Sequence, residues 1–152
     1  NPVRELEALR AQSHTIPAQP LQPGENPLAG LGGELLEVVA DLAVGTAEKI
    51  TLTLRGIPIV YNIQKQELVC QNRTVPLAPV DGRIRLRAYV DRTLLTLFAN
   101  DGEAFLPLAA SPAKGSQGLI LSAAAPGAEI RSLQVHELSS IWQSPKKENP
   151  TP

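Results

Sequence analysis

Aromatic side chains make up only 3% of this 152-residue chain, and Trp142 is its one tryptophan. So thin a supply argues against a stacking platform for bases or sugar rings. The chain has one cysteine, Cys70, which excludes an intrachain disulfide and any site built from several thiolates. Its two histidines, His14 and His136, show no metal-ligand spacing, and no metal site or cofactor motif is expected. Positive charge is not in excess: Lys plus Arg is 14 against Asp plus Glu 15, a formal net charge of -1. That argues against nucleic acid as a partner. No stretch stays apolar long enough to span a bilayer as a helix, so a membrane is not expected either. There is no methionine, even at position 1, and no signal-peptide pattern at Asn1. This fits an internal or processed start.

What is present is alternation. The chain is 43% hydrophobic, enough for a core, and its length suits one domain. In Arg83 to Val90, Ile84, Leu86, Ala88 and Val90 share one parity, and Arg83, Arg85, Arg87 and Tyr89 share the other. That is a half-buried strand with one wet face. Asn100-Asp101-Gly102 reads as a hairpin turn, because Asn and Gly tolerate positive φ. At Asp91-Arg92 the pattern allows either a turn or a bend. Further strands are expected at 34–44, 50–55, 60–63, 67–70, 91–98, 103–108, 118–124 and 129–138. Pro76 to Pro79 reads as a connector, followed by a turn at Asp81-Gly82. Val3 to Arg10 carries a short helical pattern, and Pro17 to Gly33 is a Pro/Gly-rich strap rather than an element. The expected division is a linker with helix and strap at 1–33, a β-sandwich at 34–142 and a flexible tail at 143–152. Many short strands between turn signals argue for an all-β, antiparallel two-sheet fold.

Several ordered pieces resemble one known family. These are PVRELEALR at 2–10, YNIQKQELVCQNR at 61–73, APVDGRIRLRAYVD at 78–91, VDRTLLTLFANDG at 90–102 and LQVHELSSIW at 133–142. They resemble the C-terminal β-sandwich module of glycoside hydrolase family 32, the invertases, inulinases and levanases. The resemblance implies a sandwich of the concanavalin A-like, jelly-roll type. It implies that the catalytic Asp and Glu belong to a separate five-bladed propeller. Propeller motifs of the N-D-P-N-G, R-D-P and E-C types do not occur here. Asn1-Pro2 and Glu67-Leu68 are the nearest dipeptides. One departure stands out: the family hairpin carries a Ser and then a Glu where this chain has Leu94 and Thr96. That strand is more apolar and suits burial against another surface.

The resemblance implies a non-catalytic module whose partner is the catalytic propeller of a β-fructosidase. A second reading is a carbohydrate-binding module that recognises terminal fructose or β-fructan. For that reading, which rests on a resemblance of fold and hairpin to modules that grip terminal fructose, the candidate residues are Glu67, Asp91, Arg92 and Asn100, because such a site needs several carboxylates and an arginine. The bland roles stand beside them: Asp91 and Arg92 as a strand-end ion pair, Asp101 as a turn cap. Arg83, Arg85 and Arg87 form either an anion clamp or a solvated face paired with acids across the sheet. Tyr61, Tyr89 and Trp142 are rim or core residues, or sugar platforms. Phe98 and Phe105 flank the turn as core or interface residues. Cys70 reads as a buried structural thiol. A free-standing hydrolase has only scattered carboxylates, with no histidine expected near a nucleophile. Fructan polymers are too large to import, so a secreted or cell-envelope setting is expected.

Overall fold

The computed structural model describes residues 10–91, 93–100, 102, 104–109 and 118–138. Every helix or strand assigned among them is a strand. In chain order these are β1 (Arg10–Ile16), β2 (Gln19–Leu21), β3 (Leu36–Ala43), β4 (Lys49–Leu54), β5 (Ile57–Asn62), β6 (Glu67–Cys70), β7 (Arg73–Pro76), β8 (Arg83–Val90), β9 (Leu94–Ala99), β10 (Ala104–Ala109), β11 (Leu119–Ala123) and β12 (Ala128–Leu138). They form two antiparallel sheets. The larger runs β1-β12-β3-β8-β9-β10, with β2 also paired to β12. The smaller runs β11-β4-β5-β6-β7.

Alternation decides which face goes inside. Leu36, Val38, Ala40 and Leu42 of β3 are buried, as are Ile84, Leu86, Ala88 and Val90 of β8. From the other sheet come Ile50, Leu52 and Leu54 of β4, and Ile57, Ile59 and Tyr61 of β5. These side chains form one apolar cluster. Removing each Leu or Ile from water contributes about 1.5–3 kcal/mol, which offsets the entropy of ordering the strands. Tyr61 sits in the cluster without leaving a polar atom stranded, because its hydroxyl donates to the Leu77 carbonyl at 2.6 Å. The structure is therefore the two-sheet sandwich that the alternation implies.

The first strands depart from expectation. Residues 1–33 read as linker and strap, yet β1 and β2 lie in the larger sheet, paired with β12. The Val3–Arg10 helical pattern lies outside the described residues except for Arg10, which opens β1. The alternation of β1 is faint for a physical reason. It is an edge strand, and Gln12, Ser13 and Thr15 are exposed. The strap that follows β2 is held by Asn26. Its Oδ1 accepts from the amides of Leu28 and Leu121, each at 3.0 Å, while Nδ2 donates to the Leu119 carbonyl at 3.0 Å. Asn26 thus caps the edge of β11 and seats Leu28 in the core. Strand β7 also falls where no strand was expected. A two-residue link, Gln71-Asn72, joins it to β6, and its own side chains are mostly exposed.

Two glycines are fixed by a close approach between loops. Gly45 has φ 52, and a Cβ there would strike the Gly127 carbonyl oxygen. Gly127 has φ 122, and a Cβ there would strike the Thr46 hydroxyl. Gly24 also has positive φ, 85, but its missing Cβ would meet nothing within 4 Å. Gly45→Ala is therefore expected to lower the unfolding free energy by at least about 2 kcal/mol more than Gly24→Ala, since backbone must move. Urea denaturation of both variants measures this. Equal losses would show that the loop contact carries no weight.

Candidate functional site

Of the residues singled out as a sugar-binding set, Glu67, Asp91 and Asn100 are described, and these three do not meet at one point. Asp91 ends β8 and turns the chain into β9. Its Oδ1 accepts from the amides of Thr93 and Leu94, each at 2.8 Å, and its own amide donates to the Leu94 carbonyl at 3.0 Å. Of the two readings at this point, the structure shows a turn. The Asp91 carbonyl also accepts from Nη1 of buried Arg55 at 3.3 Å, and the same nitrogen donates to the Glu34 carbonyl at 3.0 Å. Asn100 lies beyond the other end of β9. The six residues of that strand set the two side chains roughly 20 Å apart. Glu67 opens β6 on the smaller sheet, half-buried, opposite Asn62 and Pro76. Arg92 lies outside the described residues, as do Asp101 and Trp142. No single furanose ring touches Glu67, Asp91 and Asn100 together.

What does gather is the ground around Asn100. Val80, Asp81, Arg83, Arg85 and Asn100 line a hollow of ≈ 80 Å³. Asp81 (φ 54) and Gly82 (φ 74) form a turn with both central residues left-handed. Val80 and Arg83 close it with reciprocal backbone hydrogen bonds of 2.8 and 3.0 Å. Asn100, at φ 49, ties the wall together. Its Oδ1 accepts from the Arg85 amide at 2.9 Å and its Nδ2 donates to the Ala78 carbonyl at 3.0 Å.

The arginine row has the partners expected of a solvated strand face. Arg83 Nη1 and Arg85 Nε approach Asp41 Oδ2 at 3.3 and 3.6 Å, from β8 to β3. Arg87 Nη1 donates to Glu37 Oε2 at 2.7 Å, and the Glu37 side chain is fully buried. Sequence reasoning placed these acids across the sheet but not the hollow beside them. The signal was Asp81-Gly82, a turn directly ahead of Arg83 and Arg85, which sets residues 80–81 beside the start of β8.

Reactive side chains are placed for structure. Cys70 is buried, and burial pushes its thiol up from the ordinary 9.0. An activated thiolate needs the opposite shift. One expectation needs correcting: a histidine does stand beside a hydroxyl. Ser13 Oγ lies 2.7 Å from His136 Nδ1, because β1 and β12 pair Ser13 with His136. The parity of edge strand β1 was too weak to reveal it. Glu37 is the β3 residue opposite His136, but its Oε2 is engaged by Arg87. Among the described residues no three His, Cys, Asp or Glu side chains gather as a metal site requires. No helix there is long and apolar enough to cross a membrane.

Comparison with known proteins agrees with this architecture. Residues 5–137 match the domain described as glycosyl hydrolases family 32 C terminal. A levanase of Bacillus subtilis (strain 168) is 30% identical over 165 residues, covering 93% of this chain and 24% of the levanase. A levanase of Bacillus sp. (strain L7) is 27% identical, covering 98% of this chain and 19% of that protein. The exo-inulinase structure from Aspergillus awamori superimposes with a TM-score of 0.73 at 18% identity, over 90% of this chain and 31% of that one. The last likeness concerns the fold. The chain belongs to glycosyl hydrolase family 32 through that family's C-terminal domain. It spans about a quarter or less of the curated relatives it matches. The matched part is a two-sheet sandwich, not a propeller.

Two outcomes follow from these placements. Asp91→Ala is expected to cost about 1–2 kcal/mol by freeing two turn amides, whereas Asp91→Asn keeps the acceptor and most of the stability. Denaturation midpoints distinguish them, and equal effects would contradict the turn role. Burial also raises Tyr61 and Tyr89 above 10.0. For acids raised by folding, the neutral form is the folded one. Stability is full below the ordinary values and declines as pH rises above about 9. Cys70→Ala is expected to flatten the first part of that decline. A pH series of unfolding free energies checks it, and an unchanged slope would contradict it.

Proposed function

We propose that this chain is the non-catalytic supporting module of a fructan- or sucrose-hydrolysing enzyme, seating that enzyme's catalytic propeller on the outer face of β8, β9 and β10. The observation that carries the reading is an apolar face where a wet one is the norm. Leu94 is 42% exposed and Phe105 is 54% exposed. Phe98 stacks on Phe105 with ring centroids 5.0 Å apart, and Tyr89 meets Phe98 edge-on at 6.2 Å. Register sets Leu94 against Ala109, Thr96 against Pro107 and Phe98 against Phe105, so these side chains form one patch. Contiguous exposed apolar surface of this kind marks contact sites.

The occupant is argued from length. The relatives are several times longer than this chain and match it over nearly all of its residues. Most of a relative therefore lies beyond the module and has to be seated on something. Leu94 and Thr96 also stand where the family hairpin carries Ser and Glu, which shifts this strand toward dry contact. The hydrolysis itself falls to the propeller. Fructan polymers are too large to import, which supports a parent enzyme that works outside the cytoplasm.

Leu94→Asp with Phe105→Asp tests the seat. Burying a Leu or Phe contributes about 1.5–3 kcal/mol. In the full-length enzyme the double variant is expected to lower the Tm by several degrees. In the module by itself, exposed positions change stability by no more than about 0.5 kcal/mol. An unchanged Tm in the full-length enzyme would contradict docking at this face.

A further inference from the structure

We propose that the outer face of the smaller sheet is a self-association surface, on which a second copy of this chain docks face to face about a two-fold axis running along β5. This inference is independent of the supporting role and uses the opposite sheet from Leu94 and Phe105.

Register lays this face out in rows. β5 is the middle strand of its sheet, with β4 and β11 on one side and β6 and β7 on the other. Parity turns Thr51, Val60 and Val69 outward, because the residues on either side of each are buried in the core. Thr51 pairs with Val60 and Val60 with Val69, so the three form one row. All three are uncharged and half-buried. Lys49, Asn62 and Glu67 form the next row, at the end of the face. A sheet face turned to water is normally polar along its whole length. The larger sheet follows that rule toward β3 and β8, where Asp41 meets Arg85 and Glu37 meets Arg87. On the smaller sheet the outward-facing charges among the described residues are confined to Lys49 and Glu67.

Charge and symmetry choose the occupant. Lys49 and Glu67 stand on opposite sides of β5, with Asn62 between them. Two strand spacings, roughly 10 Å, keep them apart. Neither makes an ion pair with a described residue of its own chain. A half-turn about β5 exchanges β4 with β6. It carries Lys49 onto the partner's Glu67 and Glu67 onto the partner's Lys49, which makes two ion pairs across the axis. The same half-turn sets Val60 on the partner's Val60 and Thr51 on the partner's Val69, so the uncharged row is covered at the centre. Sheets stack face to face with their strands close to aligned, as this axis requires. Area sets the strength. Five strands of about five residues present a face of roughly 24 by 17 Å, or about 800 Å² over both copies. That lies at the low end for a specific contact, so the dimer of this chain is weak and reversible.

The test is sedimentation equilibrium of the 152-residue chain, from micromolar to millimolar concentration at low salt. A monomer–dimer equilibrium with a dissociation constant on the order of 100 µM is expected. Lys49→Glu alone, or Glu67→Lys alone, sets like charges across the axis and is expected to weaken dimerisation at least about fivefold. Lys49 is exposed and Glu67 half-buried, so an unchanged Tm confirms that the fold is kept. The two single variants mixed in equal amounts are expected to associate with each other at least as well as the unaltered chain, because every contact across the axis is then between opposite charges. Four outcomes would overturn the proposal: a chain that stays monomeric at millimolar concentration, single variants that dimerise as the unaltered chain does, a mixture that fails to associate, or a dimer lost with Leu94→Asp and Phe105→Asp but kept in both charge variants. A full-length enzyme that stays monomeric while Lys49 resists acetylation would give the face to another segment of the same polypeptide, and overturns it as well.

Discussion

The sandwich depends on its last strand. β12 is the longest element at 11 residues, and it pairs with β1, β2 and β3. It joins Arg10 to Leu138 and Leu133 to Ala40, so the beginning and end of the described chain meet in one ladder. Its Leu133 and Val135 are fully buried, while His136 on its outer face closes on Ser13. A bulge between Ile130 and Ser132 shifts the register against β3 and lets Glu129 and Arg131 stand outside. Until this strand is placed, the larger sheet has no route to its N-terminal edge. Such pairings close long loops, which is costly in entropy and favours all-or-none folding.

Once the inner faces are committed to the core, function is left to the outer ones. On the larger sheet that outer surface divides in two. Toward β3 and β8 it is ionic, with Glu37 and Asp41 answering Arg83, Arg85 and Arg87. Toward β9 and β10 it is aromatic and aliphatic, with Phe98, Phe105, Leu94 and Pro107. In the ionic half each of these arginines has a carboxylate within 3.6 Å. In the apolar half Leu94 and Phe105 remain exposed, although Phe105 stacks on Phe98. This difference is why we propose docking at β9 and β10.

Parity made most of this legible. β6 and β8 run over the residues their alternation marks, and β3, β4, β9, β10, β11 and β12 differ from expectation by only a few residues at their ends. Strong two-residue periodicity exists wherever one face is buried and the other wet. β1, β2 and β7 were illegible because edge strands with exposed side chains carry little of it. The site was harder. A sequence shows chemical type, and type does not report distance. Asp91 and Asn100 look like sugar ligands in the sequence, yet each uses its side chain to hold backbone at opposite ends of one strand. Only the register of β8 on β9, with Leu86 opposite Ala99, brings Asn100 beside Arg85. Ser13 and His136 met for the same reason, through a pairing that no local pattern announces.

The proposed docking covers the face of β9 and β10 in the full-length enzyme. Hydroxyl-radical footprinting of side chains tests it most directly, on the module alone and on the full-length protein. Leu94 and Phe105 are expected to oxidise readily in the module and to be protected in the full-length enzyme. Ile120, exposed on the opposite sheet at 46%, serves as the reference and should react alike in both. Equal oxidation of Leu94 and Phe105 in the two proteins, or protection of Ile120 in their place, would contradict it.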